Sequence, residues 1–297
     1  MAPEGPGYGW RSPIYTWPPI GVQRRFSRVI AASGTAPHIK EFDEKGFLVL
    51  PGLLPSHFVG RLTREVDHWV DSGLRQRSID ACLRPDRCPV PDTVELDMTA
   101  HGELAAFPPL LELLEDENLL GPAFVFHHLH SDRRPSGAPG KPWHHDYEQR
   151  PQRHRLLPMV HVLHYIQGLR PGMGALAVLP GSHHEVAEKD ARSHLGTGAL
   201  PGEVLITELP PGSAVVLHSA LFHTRRAGDA SAAEGTDRYM IDASYCRTGE
   251  LWPPVKPYWR RILAVGRERR LGQGRWAELF EERHFGVYEP GDAGRAA

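Results

Sequence analysis

The chain has 297 residues, 34 Lys and Arg against 36 Asp and Glu, and a formal net charge of −2. A balance this even supplies no electrostatic reason for a nucleic-acid or anionic-membrane partner, so neither is expected. Three cysteines, Cys82, Cys88 and Cys246, with no C-x-x-C pair, exclude a disulfide framework or a thiolate zinc site as the organising feature.

No run of about 18 apolar residues occurs. The amino end lacks a basic start followed by an apolar stretch, so a cytoplasmic location is expected. Residues 1–36 are rich in Pro and Gly, carry Tyr8, Trp10, Tyr15 and Trp17, and show no sustained period. They form an extension without a core of its own, either laid across the domain or disordered. Residues 37–297 are expected to be a single domain, which this length can supply with a full core.

Phe42 to Leu54 is predicted to be a strand entering a turn, and Ser56 the N-cap of a helix. Phe58, Leu62, Val66 and Trp69 then recur at helical spacing until Gly73. Residues 74–106 are expected to be an irregular connection and 108–120 a short second helix. Strands are predicted over 123–131, 143–146, 159–167, 175–179, 203–209, 213–217 extending towards Thr224, and 238–246. Seven runs separated by Pro-Gly turns indicate an antiparallel barrel or sandwich with its core at about 122–250. A helical segment at about 255–290 includes an amphipathic stretch over 276–285.

In Trp143-His144-His145-Asp146-Tyr147, the first histidine and the carboxylate stand two apart, which at strand spacing puts them on one face. Alone, such a pair is far more often a hydrogen-bonded surface or loop pair than a metal site. A second segment, Pro210-Pro-Gly-Ser-Ala-Val-Val-Leu-His218-Ser-Ala-Leu-Phe-His223-Thr, offers two further histidines. Two imidazoles and one carboxylate on one face of a ferrous ion leave neighbouring coordination positions free for co-substrate and dioxygen.

Four segments in order resemble the phytanoyl-CoA dioxygenase family of Fe(II)/2-oxoglutarate oxygenases over roughly residues 38–250. They are Gly46-Phe-Leu-Val-Leu-Pro-Gly-Leu-Leu, His144-His-Asp146, Gly174-Ala-Leu-Ala-Val-Leu-Pro-Gly-Ser-His183, and Pro211-Gly-Ser-Ala-Val-Val-Leu-His-Ser-Ala-Leu-Phe-His223. The resemblance implies a double-stranded β-helix, mainly β with flanking helices, with iron at the mouth of a squashed barrel. It implies His144, Asp146 and His223 as ligands, with His145 pointing away and His218 in a packing role. It also implies that Arg238 binds the far carboxylate of 2-oxoglutarate, a role that a planar guanidinium suits. The connection from Thr224 to Asp237 is longer than the family usually has, which keeps Arg225 and Arg226 as rival anchors.

The implied reaction consumes O2, converts 2-oxoglutarate to succinate and hydroxylates a small organic molecule. Related halogenases replace the carboxylate by a small residue, so Asp146 points to hydroxylation; desaturation, epoxidation and cyclisation stay open. The Ala-, Arg-, Gly- and Pro-rich usage accords with tailoring of natural products. Two other classes compete: a non-catalytic cupin-like protein that binds a metal or ligand, and a cupin-type metalloenzyme that needs no 2-oxoglutarate.

Strand alternation groups Phe124, Phe126, His128 and His130 on one face, which would bring His128 to the co-substrate and His130 to substrate. It likewise groups His161, Leu163 and Tyr165. His161 and Tyr147 are further candidates for contact with substrate. His183 and His184 are expected to be solvated or to cap a turn. Arg133, Arg134, Arg150, Arg153, Arg155, Arg225 and Arg226 flank the proposed site, either as solvated charge or to hold an anionic substrate.

Overall fold

Two antiparallel sheets carry the structure, a computed structural model that describes residues 35–83, 98–149, 157–185, 195–231, 237–253 and 259–286. Six helices and eight strands are found among them: α1 Thr35–Lys45, β1 Phe47–Leu50, α2 Ser56–Asp71, α3 Leu74–Leu83, α4 Thr99–Ala105, α5 Pro108–Leu114, β2 Phe124–Arg134, β3 Met159–Tyr165, β4 Leu176–Val178, β5 Val204–Ile206, β6 Ser213–His218, β7 His223–Arg225, β8 Arg238–Arg247 and α6 Trp259–Glu268. The larger sheet has the order β1-β6-β3-β8-β2 and the smaller β5-β4-β7.

Strand β3 is central and buried along its whole length. Val160 and Val162 on one of its faces join Ala214, Val216, Ala243 and Tyr245 in a cluster with Phe58, Leu62, Val66 and Trp69 of α2 and with Leu104 and Ile262. Leu163 and Tyr165 on the other face join Val215 and Leu217, and these pack on Leu176, Val178 and Ile206 of the smaller sheet. Helices therefore cover one side of the large sheet and the small sheet covers the other. Each large apolar side chain buried this way contributes about 1.5–3 kcal/mol, so the helix-side cluster supplies most of the cohesion.

Helix α2 buries Phe58, Val59, Leu62, Val66 and Trp69 at the expected spacing, and Gly73, at φ 72°, ends it. Its N-cap is Pro55, with no side-chain cap bond, so the expected Ser56 cap is corrected; Ser56 is the first helical residue. The predicted first strand is also shorter. Phe42–Lys45 complete α1, where Ile39 and Phe42 are buried, and only Phe47–Leu50 are extended. Gly46 makes the switch at φ 78°, and a Cβ there would come 2.6 Å from His183 Nδ1.

Residues 74–106 are not wholly irregular, because they contain α3 and α4. Both are short, and neither shows a sustained apolar period in sequence. The helix expected over 276–285 is absent: turns lead to a single 3₁₀ turn at Glu282–His284, and α6 is the helix of that region. Leu279 and Phe280 meet the apolar spacing while buried from a turn. The strand expected over 143–146 reduces to one bridge residue, His144. The aromatic extension and Cys88 lie outside the described residues, as does the side chain of Cys82; Cys246 is buried. No helix among the described residues is long and apolar enough to cross a membrane.

His164 points to the helix side of β3, fully buried with neither ring nitrogen hydrogen-bonded, and burial pushes its pKa down to about 3. His218 is likewise pushed down to about 3, by burial and then by His183. An unfolded chain protonates these rings near pH 6.5, while the folded chain refuses the proton until about pH 3. Stability is therefore highest above pH 6.5 and falls as pH drops, by about 1.4 kcal/mol per pH unit per ring. Thermal melts of the metal-free protein between pH 7 and pH 4 should show this slope, and His164→Leu should flatten it while raising the melting temperature at pH 5. An unchanged slope would remove His164 from the acid response.

Candidate metal centre

His144 and His223 face each other across an antiparallel bridge. The His144 N–H donates to the His223 carbonyl at 3.1 Å, and the His223 N–H returns the bond at 2.9 Å. Two residues on, the Asp146 N–H donates to the Ser219 carbonyl at 2.8 Å. Each ring is then oriented by its Nδ1–H, which donates to the Pro142 carbonyl at 2.8 Å for His144 and to the Leu221 carbonyl at 3.1 Å for His223. Those bonds fix the tautomer and leave the two Nε2 atoms to face the Asp146 carboxylate, at 3.9 Å and 3.2 Å. Two ligands at right angles, each about 2.1 Å from a metal, stand about 3 Å apart, so the three side chains fit one divalent ion.

Electrostatics support the same use. Burial, then His223, pushes His144 down to about 3. Burial pushes Asp146 upward, but His144 and His223 outweigh it and hold the carboxyl well below its ordinary range. At neutral pH His144 is uncharged and Asp146 ionised, the state in which each binds a metal.

The neighbouring motifs place these ligands. Ser182, from the Pro-Gly-Ser turn, accepts the Phe222 N–H on its hydroxyl at 2.9 Å, and the Leu179 N–H donates to the Phe222 carbonyl at 2.8 Å. The residue before His223 is thus held from both sides. Thr224 donates its hydroxyl to the Lys141 carbonyl, and the Trp143 indole donates to the Gly198 carbonyl at 2.7 Å. His145 turns its ring edge-on to Phe222 at 5.3 Å, away from the ligands. His218 lies on β6 against His183 and Phe42, at 5.0 and 6.4 Å between ring centroids. His183 is buried, donating Nε2–H to the Asp43 carbonyl at 3.0 Å, so the expectation of a solvated or turn-capping ring is corrected; His184 is exposed.

The face of the large sheet turned to the small one carries a polar row. Pairing of β2 with β8 sets His128 opposite Ser244, His130 opposite Asp242, and Arg134 opposite Arg238. A bulge between Phe126 and His128 inserts His127 and reverses the alternation, so His128 and His130 do not share a face with Phe124 and Phe126 as expected. His128 shares a hydrogen bond with Ser244 at 2.7 Å, and Arg75 donates to His130 at 3.4 Å. His161 donates Nδ1–H to Asp242 at 2.8 Å. Burial lowers the pKa of His161, but Asp242 overrides it and raises the ring to about 9. Ligand atoms of His161, Asp242 and Asp146 all lie within 4.8 Å of one another.

Arg238 is buried, donates Nη2–H to the Tyr165 hydroxyl at 2.9 Å, and stacks 5.2 Å over the Tyr165 ring. Among the described residues it meets no carboxylate, and its Nε has no partner. One charged hydrogen bond returns about 1.5–3 kcal/mol and the ring about 0.5–2. Burying an unpaired guanidinium costs several, so this place is built for an anion. Arg226 is committed to Glu203 and to the Trp143 ring at 5.4 Å. Arg133 pairs with Asp67 and Asp71, and Arg134 with Asp132. Arg150, Arg153 and Arg155 lie outside the described residues.

Tyr147 is corrected: it sits in the helix-side cluster against Trp252 and donates its hydroxyl to the Leu157 carbonyl at 2.8 Å. Tyr165 and Asp242 were not expected as site residues. Alternation along β8, which groups Asp242 with Arg238, is the sequence signal that would have found Asp242.

This geometry defines a class, a protein with a two-histidine, one-carboxylate metal site on a mainly antiparallel β fold. The family model of phytanoyl-CoA dioxygenase (PhyH) matches residues 42–229, and the chain belongs to that family. It is an Fe(II)/2-oxoglutarate-dependent oxygenase, with iron and 2-oxoglutarate as its cofactors. Similar solved structures include HygX from Streptomyces hygroscopicus with nickel and 2-oxoglutarate bound, 19% identical, covering 74% of this chain and 90% of that one at a TM-score of 0.53. Another is the non-heme α-ketoglutarate-dependent epimerase SnoN from nogalamycin biosynthesis, 16% identical, covering 72% and 83% at 0.52. These likenesses bear on the fold. No curated protein matches the chain.

Tyr147→Phe should leave Fe(II) affinity unchanged and lower stability by about 1 kcal/mol, the loss of one hydrogen bond to the carbonyl of the half-buried Leu157. Denaturant unfolding and metal titration of the same sample check this, and a weakened metal site with unchanged stability would contradict the placement.

Proposed function

We propose that the chain is a hydroxylase of a small organic molecule, folded over about residues 37–297 as a double-stranded β-helix whose two sheets enclose the site. His144, Asp146 and His223 hold the iron, and Arg238 holds the far carboxylate of 2-oxoglutarate, which is decarboxylated to succinate. The observation that carries this reading is Arg238: a buried guanidinium with no acidic partner among the described residues, on the face that also carries His161 and Asp242 beside Asp146. A metalloenzyme without a keto-acid co-substrate would leave that charge uncompensated.

When bound, iron with 2-oxoglutarate and dioxygen supplies the oxidising power for breaking a substrate C–H bond. The protein's part is orientation and exclusion of water. His144 and His223 present fixed Nε2 atoms, Asp146 supplies the charge, and Arg238 sets the direction of the keto acid. Trp143 and Phe222, both buried, shield the ligands from bulk water. His128 is assigned to the co-substrate side, and His130 and His161 to the substrate side. A carboxylate at position 146 keeps the third protein ligand, which favours hydroxylation over halogenation. The substrate is assigned to natural-product tailoring, in line with neighbours crystallised with hygromycin B (HygX) and with nogalamycin RO (SnoN).

Anaerobic titration of the Fe(II)-loaded protein with 2-oxoglutarate should produce a metal-to-ligand charge-transfer band. Arg238→Ala should keep Fe(II) affinity and weaken 2-oxoglutarate about 100-fold, since truncating one side of a buried charge pair costs 2–5 kcal/mol or more. Asp146→Ala should abolish the band by losing the metal. A wild-type protein without the band, or an Arg238→Ala variant with undiminished affinity for the keto acid, would overturn the assignment.

A further inference from the structure

Among the described residues the Asp146 carboxylate meets, at ion-pair distance, the Nε2 atoms of His223 at 3.2 Å and His144 at 3.9 Å and no other side chain. A metal takes those two nitrogens and one carboxylate oxygen for itself. The other oxygen of Asp146 then needs a donor of its own, as ligating carboxylates generally do.

His161 stands beside that oxygen. It lies on β3, opposite Ser244 of β8 and Leu217 of β6, and is 1% exposed. Its Nδ1–H donates to both oxygens of Asp242, at 2.8 and 3.0 Å, and the His128 ring meets it edge-on at 5.5 Å between centroids. Its Nε2 is buried and has no partner. One ligand atom from each of His161, Asp242 and Asp146 lies within 4.8 Å of the other two. A ring nitrogen without a partner and a carboxylate whose partners go to the metal are thus neighbours in space. A buried nitrogen left unmet costs stability, and a buried ion pair returns little of it, so the arrangement is one that metal loading completes.

We infer that His161 is a positioning residue for the iron ligand Asp146: its Nε2–H donates to the carboxylate oxygen that does not bind the metal, while Asp242 fixes the ring from the other side. This goes beyond the contact with substrate assigned to His161 above and rests on the ligand set proposed there. Donation from both nitrogens makes the ring an imidazolium, and the charge of Asp242 balances it. The bond holds one oxygen of Asp146 towards iron, and through that ligand it sets how tightly iron is held.

The test is Fe(II) affinity, measured anaerobically by competition with a chromogenic chelator, together with the thermal melt of the metal-free protein and the position of the 2-oxoglutarate charge-transfer band. His161→Leu/Asp242→Leu removes both partners at once and leaves no unpaired charge. It should raise the Fe(II) Kd about tenfold or more and move the band, with a melting temperature no lower than wild type. Asp242→Asn keeps an acceptor for Nδ1–H but withdraws the balancing charge, and should weaken Fe(II) in the same direction by less. A wild-type Kd in the double variant overturns the inference, as does a loss of affinity that comes with an equally clear fall in the melt, which marks a purely structural pair. If the double variant does not fold, Asp242→Asn decides, a wild-type Kd being the contrary result. Failure of the wild-type protein to bind Fe(II) overturns the underlying ligand set instead.

Discussion

Two backbone hydrogen bonds between His144 and His223 are the constraint on which the site depends. They set two imidazoles side by side from segments far apart in the chain. The further bond from Asp146 to Ser219 then brings the carboxylate onto the same side. Side-chain bonds from both Nδ1 atoms complete the arrangement, so no ring needs to rotate to meet a metal. The Pro-Gly-Ser turn contributes Ser182, which locks Phe222, and this explains why a turn without metal ligands belongs to the site.

The second organising feature is a surplus of positive charge between the sheets. Most polar groups on that face satisfy each other: His161 with Asp242, His128 with Ser244, Asp132 with Arg75 and Arg134. Arg238 is left over. A globular core does not retain such charges for stability, because desolvation outweighs what a hydroxyl and an aromatic ring return. The helix-side cluster, packed from α2, α4, α6 and the outer face of the large sheet, supplies the cohesion that lets the opposite face remain polar.

Much of the site was legible in the residues. The His-x-Asp spacing and the order of the four motifs led to the three side chains that the structure brings together, and the arginine opening β8 to a buried guanidinium on the large sheet. The α2 core face and the strands at 159–165 and 238–247 were legible too, since long apolar runs at a clear period leave little choice. Less legible were α3 and α4, which are too short to show a period, and the stretch at 276–285, where turns meet a helix-like spacing. The bulge at His127 has no sequence signal, because histidines on both sides of it make every parity look alike. Tyr147 next to Asp146 looked like a neighbour of the metal, yet alternation turns it into the core.

By itself, then, the sequence determined which side chains could bind iron and a keto acid, because ligand chemistry resides in residue type and in spacings of two. Only the tertiary structure decided parity and partnership: that His161 meets Asp242, that Arg226 is spent on Glu203 while Arg225 is not, and that His183 is buried. Cross-strand register is set by the packing of both faces of a sheet at once, and a one-residue shift exchanges those faces, so no local stretch of chain carries enough information to choose.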